Sequence, residues 1–500
     1  MNDLAETGTA TPPLAESIHI ESVYTRAINL ARDGGTLELI AAYRPTSRAR
    51  QCLRQMVAGL SAEPMPRALA AIGPYGVGKS AFALFAGALL SDPDSDAHQI
   101  AARVIQTADP ELAEQITQAL SGTPSSTLSN ASNRDSPSSS SKRTNSTSNR
   151  TSTDNGTSNS RGYLRVGING LPDSLQRQLL LALAGAAEQA GLVATLTNEL
   201  RTKAEQAVPM DTAITLLLRV RRAWAHAGGR GLLIEIDELG KFLEYAAHHP
   251  EQSNLHLLQL LAEHSRHPDP IPVQILVLLH QAFEHYGARL GRELRDEWRK
   301  VQGRFETVAF LEPAEQALRV LATAFRRDAD LPARTQASLE HSIRLLAEES
   351  ALPHGLEAIE ASELCARCYP LHPISLLLLP TLCQKIAQNE RTLFSYLGSH
   401  EPFGLQERLR HLRLGDWIWP WDLYDYFILN QGAALGDAAT DHRWAEVVTA
   451  LERLDVAADD ADDPDAPALI ALLKTIGLFN LIGAQRGFKA SPVLLKALFG

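Results

Sequence analysis

Residues 70–90 read AAIGPYGVGKSAFALFAGALL: a short apolar run, a glycine-rich turn, then a segment apolar at nearly every position. Gly73, Gly78, Lys79 and Ser80 fit the spacing G-x-x-x-x-G-K-[ST] of a phosphate-binding loop. Glycines at that spacing let the backbone curl until its N–H groups face a phosphate. The amino end of the following helix adds the positive end of its dipole. The expected cradle is therefore Gly73, Pro74, Tyr75, Gly76, Val77, Gly78, Lys79, Ser80 and Ala81. Lys79 is placed to reach the β- and γ-phosphates of ATP, and the Ser80 hydroxyl to hold Mg²⁺. The motif follows an apolar strand and opens a helix, as it must. That helix is apolar almost all round, which predicts burial.

Working outward, LLIEIDE (232–238) is an apolar run that delivers Asp237 at its carboxyl end. A buried strand ending so places Asp237 beside the loop, where it can join Ser80 in holding Mg²⁺. Glu238 follows and is placed to polarise a water for attack on the γ-phosphate. Glu235 shares a strand face with Asp237 and receives no role. VQILVLLHQ (273–281) ends in His280 and Gln281; His280 reads either as a sensor of the γ-phosphate that orients the water or as a plain polar strand end.

GYLRVGING (162–170) and FETVAFL (305–311) add two further strands, and helical segments separate all of them. Strands alternating with helices predict an α/β fold with a parallel sheet covered on both faces. The expected organisation is a tail over 1–16 with helical spacing to 60, and a nucleotide-binding core over 61–312. A helical lid over 313–412, where strands stop, and a winged-helix-like module over 413–500 complete it. The tract 121–161 is nearly all Ser, Thr and Asn, with no aromatic residue. It reads as a disordered insertion that is either an inert linker or a phosphorylated or partner-binding loop. The apolar end, ALFG, reads as a chain that continues or that a partner covers.

The chain has 500 residues, 45% hydrophobic and 21% charged, enough for several domains. A net charge of -11 argues against coating nucleic acid by bulk electrostatics, leaving a local basic face as the way to touch DNA. The four cysteines form no disulfide framework and fit a reducing compartment. Cys365 and Cys368 form CARC, half of a zinc site or an ordinary piece of an apolar helix. The amino terminus lacks a basic start and an apolar core, so it is not a signal peptide. No apolar run is long enough to span a membrane, and a cytoplasmic location is expected.

These pieces resemble the AAA+ class of P-loop NTPases, in the branch with origin-recognition-like and STAND-type ATPases. GPYGVGKSAFALF, IDELGKFLEYA, WRKVQGRFE, PLHPISLLLLP, QNERTLFSYL and LLKTIGLFNLIG look like the large ATPases of bacterial phage-defence islands, including BREX-type systems. The resemblance spans about residues 20–500. It implies an ATP- and Mg²⁺-dependent switch or motor, a homo-oligomer acting with defence partner proteins on DNA. It also implies that Arg304 reaches a neighbouring subunit's site, with Arg299 competing for that role and a plain surface arginine as the alternative. Arg391 becomes a second phosphate-sensing arginine on the lid, or else half of a salt bridge with Glu390.

Two other readings compete. A nucleotide-gated regulator or scaffold would hold ATP with little turnover. A P-loop kinase would need neither Glu238 nor a helical lid.

Overall fold

In the computed structural model the described residues are 12–26, 28–60, 65–121, 161–206, 208–248, 255–286, 299–386, 393–429, 445–454, 465–482 and 489–499. The tract 122–160, the Asp-rich stretch 455–464 and Arg391 lie outside them.

Seven strands are described: β1 (Ile18–Ile20), β2 (Ala68–Ile72), β3 (Arg161–Asn169), β4 (Gly229–Asp237), β5 (Val273–Leu279), β6 (Glu306–Ala309) and β7 (Phe325–Arg327). Five of them form one parallel sheet in the order β3-β4-β5-β2-β6. β2, β4 and β5 are largely apolar because both of their faces are covered. One face packs on the helices Leu175–Gln189, Met210–His226 and Leu255–Arg266. The other packs on Ser47–Ala58, Lys79–Leu89, Asp96–Ala108 and Pro110–Ser121. Helix Lys79–Leu89 is buried along nearly its whole length, as its composition predicts.

Residues from 313 onward build a second core, mostly helical, around the helices Ala333–Glu348 and Pro373–Ile386. Two expectations are corrected here. Strands do not stop at 313, because β7 pairs antiparallel with β1. The tail does not run to residue 16: Leu14 and Ile18 are buried in the helical core, and the Leu14 N–H donates to the Leu412 carbonyl at 2.9 Å. The segment 413–500 contributes helices Pro420–Tyr424, Ala466–Ile482 and Pro492–Phe499, and no strand hairpin among its described residues. Leu478, Phe479 and Leu494 of its described residues share one apolar cluster with Leu339 and Leu376.

Cys365 and Cys368 are buried in that cluster, with burial pushing the Cys365 thiol up to about 12. No group of three or more His, Cys, Asp or Glu able to hold a metal occurs among the described residues. No described helix is long and apolar enough to cross a membrane.

Candidate functional site

The loop 73–78 sits at the carboxyl ends of the parallel strands. The Gly73 N–H donates to the Leu279 carbonyl at 3.0 Å, and the Phe310 N–H donates to the Ile72 carbonyl at 2.7 Å. These bonds press the loop so close to the neighbouring strands that a Cβ on Gly73 would lie 2.2 Å from the Phe310 oxygen. Gly78, at φ +84°, holds the left-handed turn from which helix Lys79–Leu89 starts.

Lys79 is 8% exposed and folds back onto its own loop, donating to the Gly73 and Pro74 carbonyls at 2.6 and 2.7 Å. Burial pulls its ammonium down to about 8, against the opposing pull of Asp237 and Glu238. Removing the charge from water is costly, and two carbonyls repay only part of that cost. A phosphate would be a better partner for the same ammonium.

Asp237 ends β4, 6% exposed. Burial raises its carboxyl, while a hydrogen bond from the Ser80 side chain and the nearby Lys79 pull it back down. The two residues expected to hold Mg²⁺ are therefore already in contact. A hydroxyl and a carboxylate are the hard oxygen donors that suit this ion. Glu238 sits at φ +46°, unusual for a residue with a side chain, and its N–H donates to Asp237 Oδ1 at 2.9 Å. Its carboxylate pairs with Lys241 at 2.5 Å. Gly170, at the end of β3, makes room for this turn: a Cβ there would lie 2.4 Å from the Glu238 oxygen.

His280 follows β5 and stacks on Tyr75 of the loop at 4.8 Å. Its Nδ1 lies 2.7 Å from the Tyr286 hydroxyl and 3.3 Å from that of Tyr75. Burial, with Lys79 nearby, lowers its pKa, so it is neutral near pH 7.

A cavity of about 220 Å³ is lined by Lys79, Ser80, Asp237, Glu238, His280 and Arg26. An apolar chamber of about 140 Å³ shares the Tyr75–Gly78 wall and extends to Tyr43, Phe310, Pro380 and Phe394. Of the expected site residues, the structure thus gathers Lys79, Ser80, Asp237, Glu238 and His280. Arg304 stands apart. It precedes β6 at the amino ends of the strands, opposite the loop, because Ala309, the carboxyl end of β6, is the residue that pairs with Ile72 beside the loop. There it pairs with Glu263 at 2.9 Å. Arg299 is exposed one turn earlier.

Sequence reading gave Glu235 no role, and it missed Arg26. Glu235 is fully buried and accepts from Arg165 Nε at 2.5 Å; Arg165 Nη1 donates to the Leu30 carbonyl at 3.0 Å. Burial pushes the Glu235 carboxyl up to about 7 despite Arg165. The signal was present: one charged residue inside each of two adjacent apolar strands.

No family model matches the chain, and no match was found among curated proteins or solved structures.

Proposed function

We propose that this chain is a Mg²⁺-dependent ATPase of the P-loop, AAA+-like kind. The observation that carries the reading is the Ser80–Asp237 hydrogen bond at the mouth of the Lys79 loop, with Glu238 and His280 on the same cavity. The strand order supports it: β5 lies between β2 and β4, so His280 reaches the space between the loop and Glu238.

In this reading the loop N–H groups and Lys79 hold the phosphates, and the apolar chamber takes the base. Ser80 and Asp237 would hold Mg²⁺, and the ion would supply charge neutralisation to the phosphates. Glu238 polarises the attacking water once it leaves Lys241. Neutral His280, fixed by Tyr75 and Tyr286, orients that water or the γ-phosphate. Arg304, at the amino ends of the strands, would have to leave Glu263 to serve a neighbouring copy if the chain assembles into a ring. Action in bacterial antiviral defence, with partner proteins on DNA, follows from the sequence resemblance.

A second reading, a nucleotide-gated regulator with little turnover, is favoured by one observation. Both key groups are occupied internally, Lys79 by loop carbonyls and Glu238 by Lys241.

Phosphate release from ATP by wild type and Glu238→Gln, with and without duplex DNA, separates the two. Release that drops by about 100-fold or more in the variant supports the ATPase. Nucleotide bound but never hydrolysed, with or without DNA, supports the regulator.

A further inference from the structure

Arg26 supplies the single guanidinium among the described residues lining the cavity that holds Lys79, Asp237 and Glu238. It follows the short helix Ser22–Thr25 and pairs with Asp33 at 2.8 Å while its own side chain remains 42% exposed. Asp33, by contrast, is buried and well supplied with other donors. The Asn29 N–H reaches Oδ2 at 2.8 Å, and Arg32 Nε reaches Oδ1 at 3.3 Å. Asp33 therefore keeps hydrogen bonds when Arg26 leaves, which lowers the cost of an exchange of partners.

The turn carrying Asp33 is fastened to the strands that build the site. The Leu30 N–H donates to Asn169 Oδ1 at 2.9 Å, at the carboxyl end of β3. The Leu30 carbonyl is held by Arg165, which Glu235 of β4 anchors in turn. Glu235 lies two residues before Asp237 on the same strand. Arg26 and Asp237 are thus mounted on one frame.

We propose that Arg26 contacts the terminal phosphate of ATP, leaving Asp33 to do so, and that this exchange lets the site tell a triphosphate from a diphosphate. The inference rests on the nucleotide reading above. A guanidinium forks onto two phosphate oxygens as it does onto a carboxylate, so a γ-phosphate in the cavity competes directly with Asp33. ADP lacks that group and leaves Arg26 on Asp33. The amino-terminal segment would then report which nucleotide is bound.

The test is equilibrium binding of ATP and of ADP, each with Mg²⁺, to the full-length wild type, Arg26→Ala, Arg26→Lys and Asp33→Asn. Losing one charge-assisted phosphate contact predicts ATP affinity down by about tenfold or more in Arg26→Ala, with ADP changed by less than about threefold. Arg26→Lys recovers part of the ATP preference. Asp33→Asn frees Arg26 and raises ATP affinity relative to ADP. An unchanged ATP-to-ADP ratio in Arg26→Ala overturns the proposal and leaves the ATPase reading intact. A wild type that binds neither nucleotide overturns both. If Arg26→Ala does not fold, Asp33→Asn decides: a raised ratio supports the exchange, and an unchanged ratio ends it.

Discussion

The carboxyl ends of the central strands and the helical core both bury polar groups, and the partners of those groups differ. In the helical core His372 and Asp422 are sealed. His372 is 1% exposed, with Nε2 3.2 Å from the Ser342 hydroxyl and Nδ1 accepting the Ile374 N–H at 3.3 Å. Trp419 stacks on its ring at 4.6 Å. Asp422 accepts the Trp419 N–H and an Arg408 nitrogen, each at 2.8 Å. Nothing in that arrangement improves by changing partners. At the carboxyl ends of β2, β4 and β5, Lys79 leans on carbonyls, Ser80 on Asp237, and Glu238 on a half-exposed Lys241. Those partners border a cavity, and in the nucleotide reading a phosphate, a cation and a water would replace them. Buried polarity builds structure where its partners are final, and builds a site where its partners are provisional.

The largest effect that would break this contrast is Asp237→Asn. It should reduce phosphate release by about 100-fold or more while leaving thermal stability equal or higher, because a buried carboxylate is removed. Phosphate assays and melting curves check it. A variant that unfolds would mean Asp237 is structural. The mirror experiment is Leu339→Ala, in helix Ala333–Glu348, where the side chain is 0% exposed. It should cost about 2–5 kcal/mol in urea unfolding. Nucleotide affinity should change by less than about threefold, since the residue touches neither cavity.

Two pH dependences sharpen the comparison. Lys79 must be charged to hold phosphate, and burial lowers its pKa to about 8. Nucleotide affinity should therefore hold below about pH 8 and fall above it, in titrations of the wild type. Bound phosphate should move that midpoint upward, because an anion favours the ammonium. His372 works on stability instead. Burial pushes it down to about 3, below its ordinary value of 6.5, so between those values the unfolded chain takes up a proton that the folded chain refuses. Stability contributed by neutral His372 is full above the upper value and is lost as pH falls, by at most about 1.4 kcal/mol per pH unit. Urea midpoints at about pH 7 and about pH 5 measure it, with His372→Gln flattening the difference.

The parts of the sheet core that were legible in the sequence are those where a chemical requirement and a periodicity coincide. The loop needs glycine at positions 73 and 78, and LLIEID needs apolar residues on both faces, so each left an unambiguous string. The β1–β7 ribbon was invisible because each strand is three residues long and IHI and FRR have no sustained alternation. The apolar segments near the carboxyl end suggested a winged-helix-like module, and periodicity does not say which core a helix joins. Leu478 and Phe479 joined the one already built by residues 318–427. Arg26 was missed because its importance comes from a cavity shared with residues more than fifty positions away. Charge pairs across long sequence separation leave no local pattern.

The most direct measurement of the central claim is equilibrium binding of ATP, with and without Mg²⁺, to the wild type and to Lys79→Met. The account predicts Mg²⁺-strengthened binding by the wild type. It also predicts a loss of about 100-fold or more in a variant that melts no lower than the wild type, since its buried ammonium is gone. Equal binding by both proteins, or none by the wild type, would contradict it.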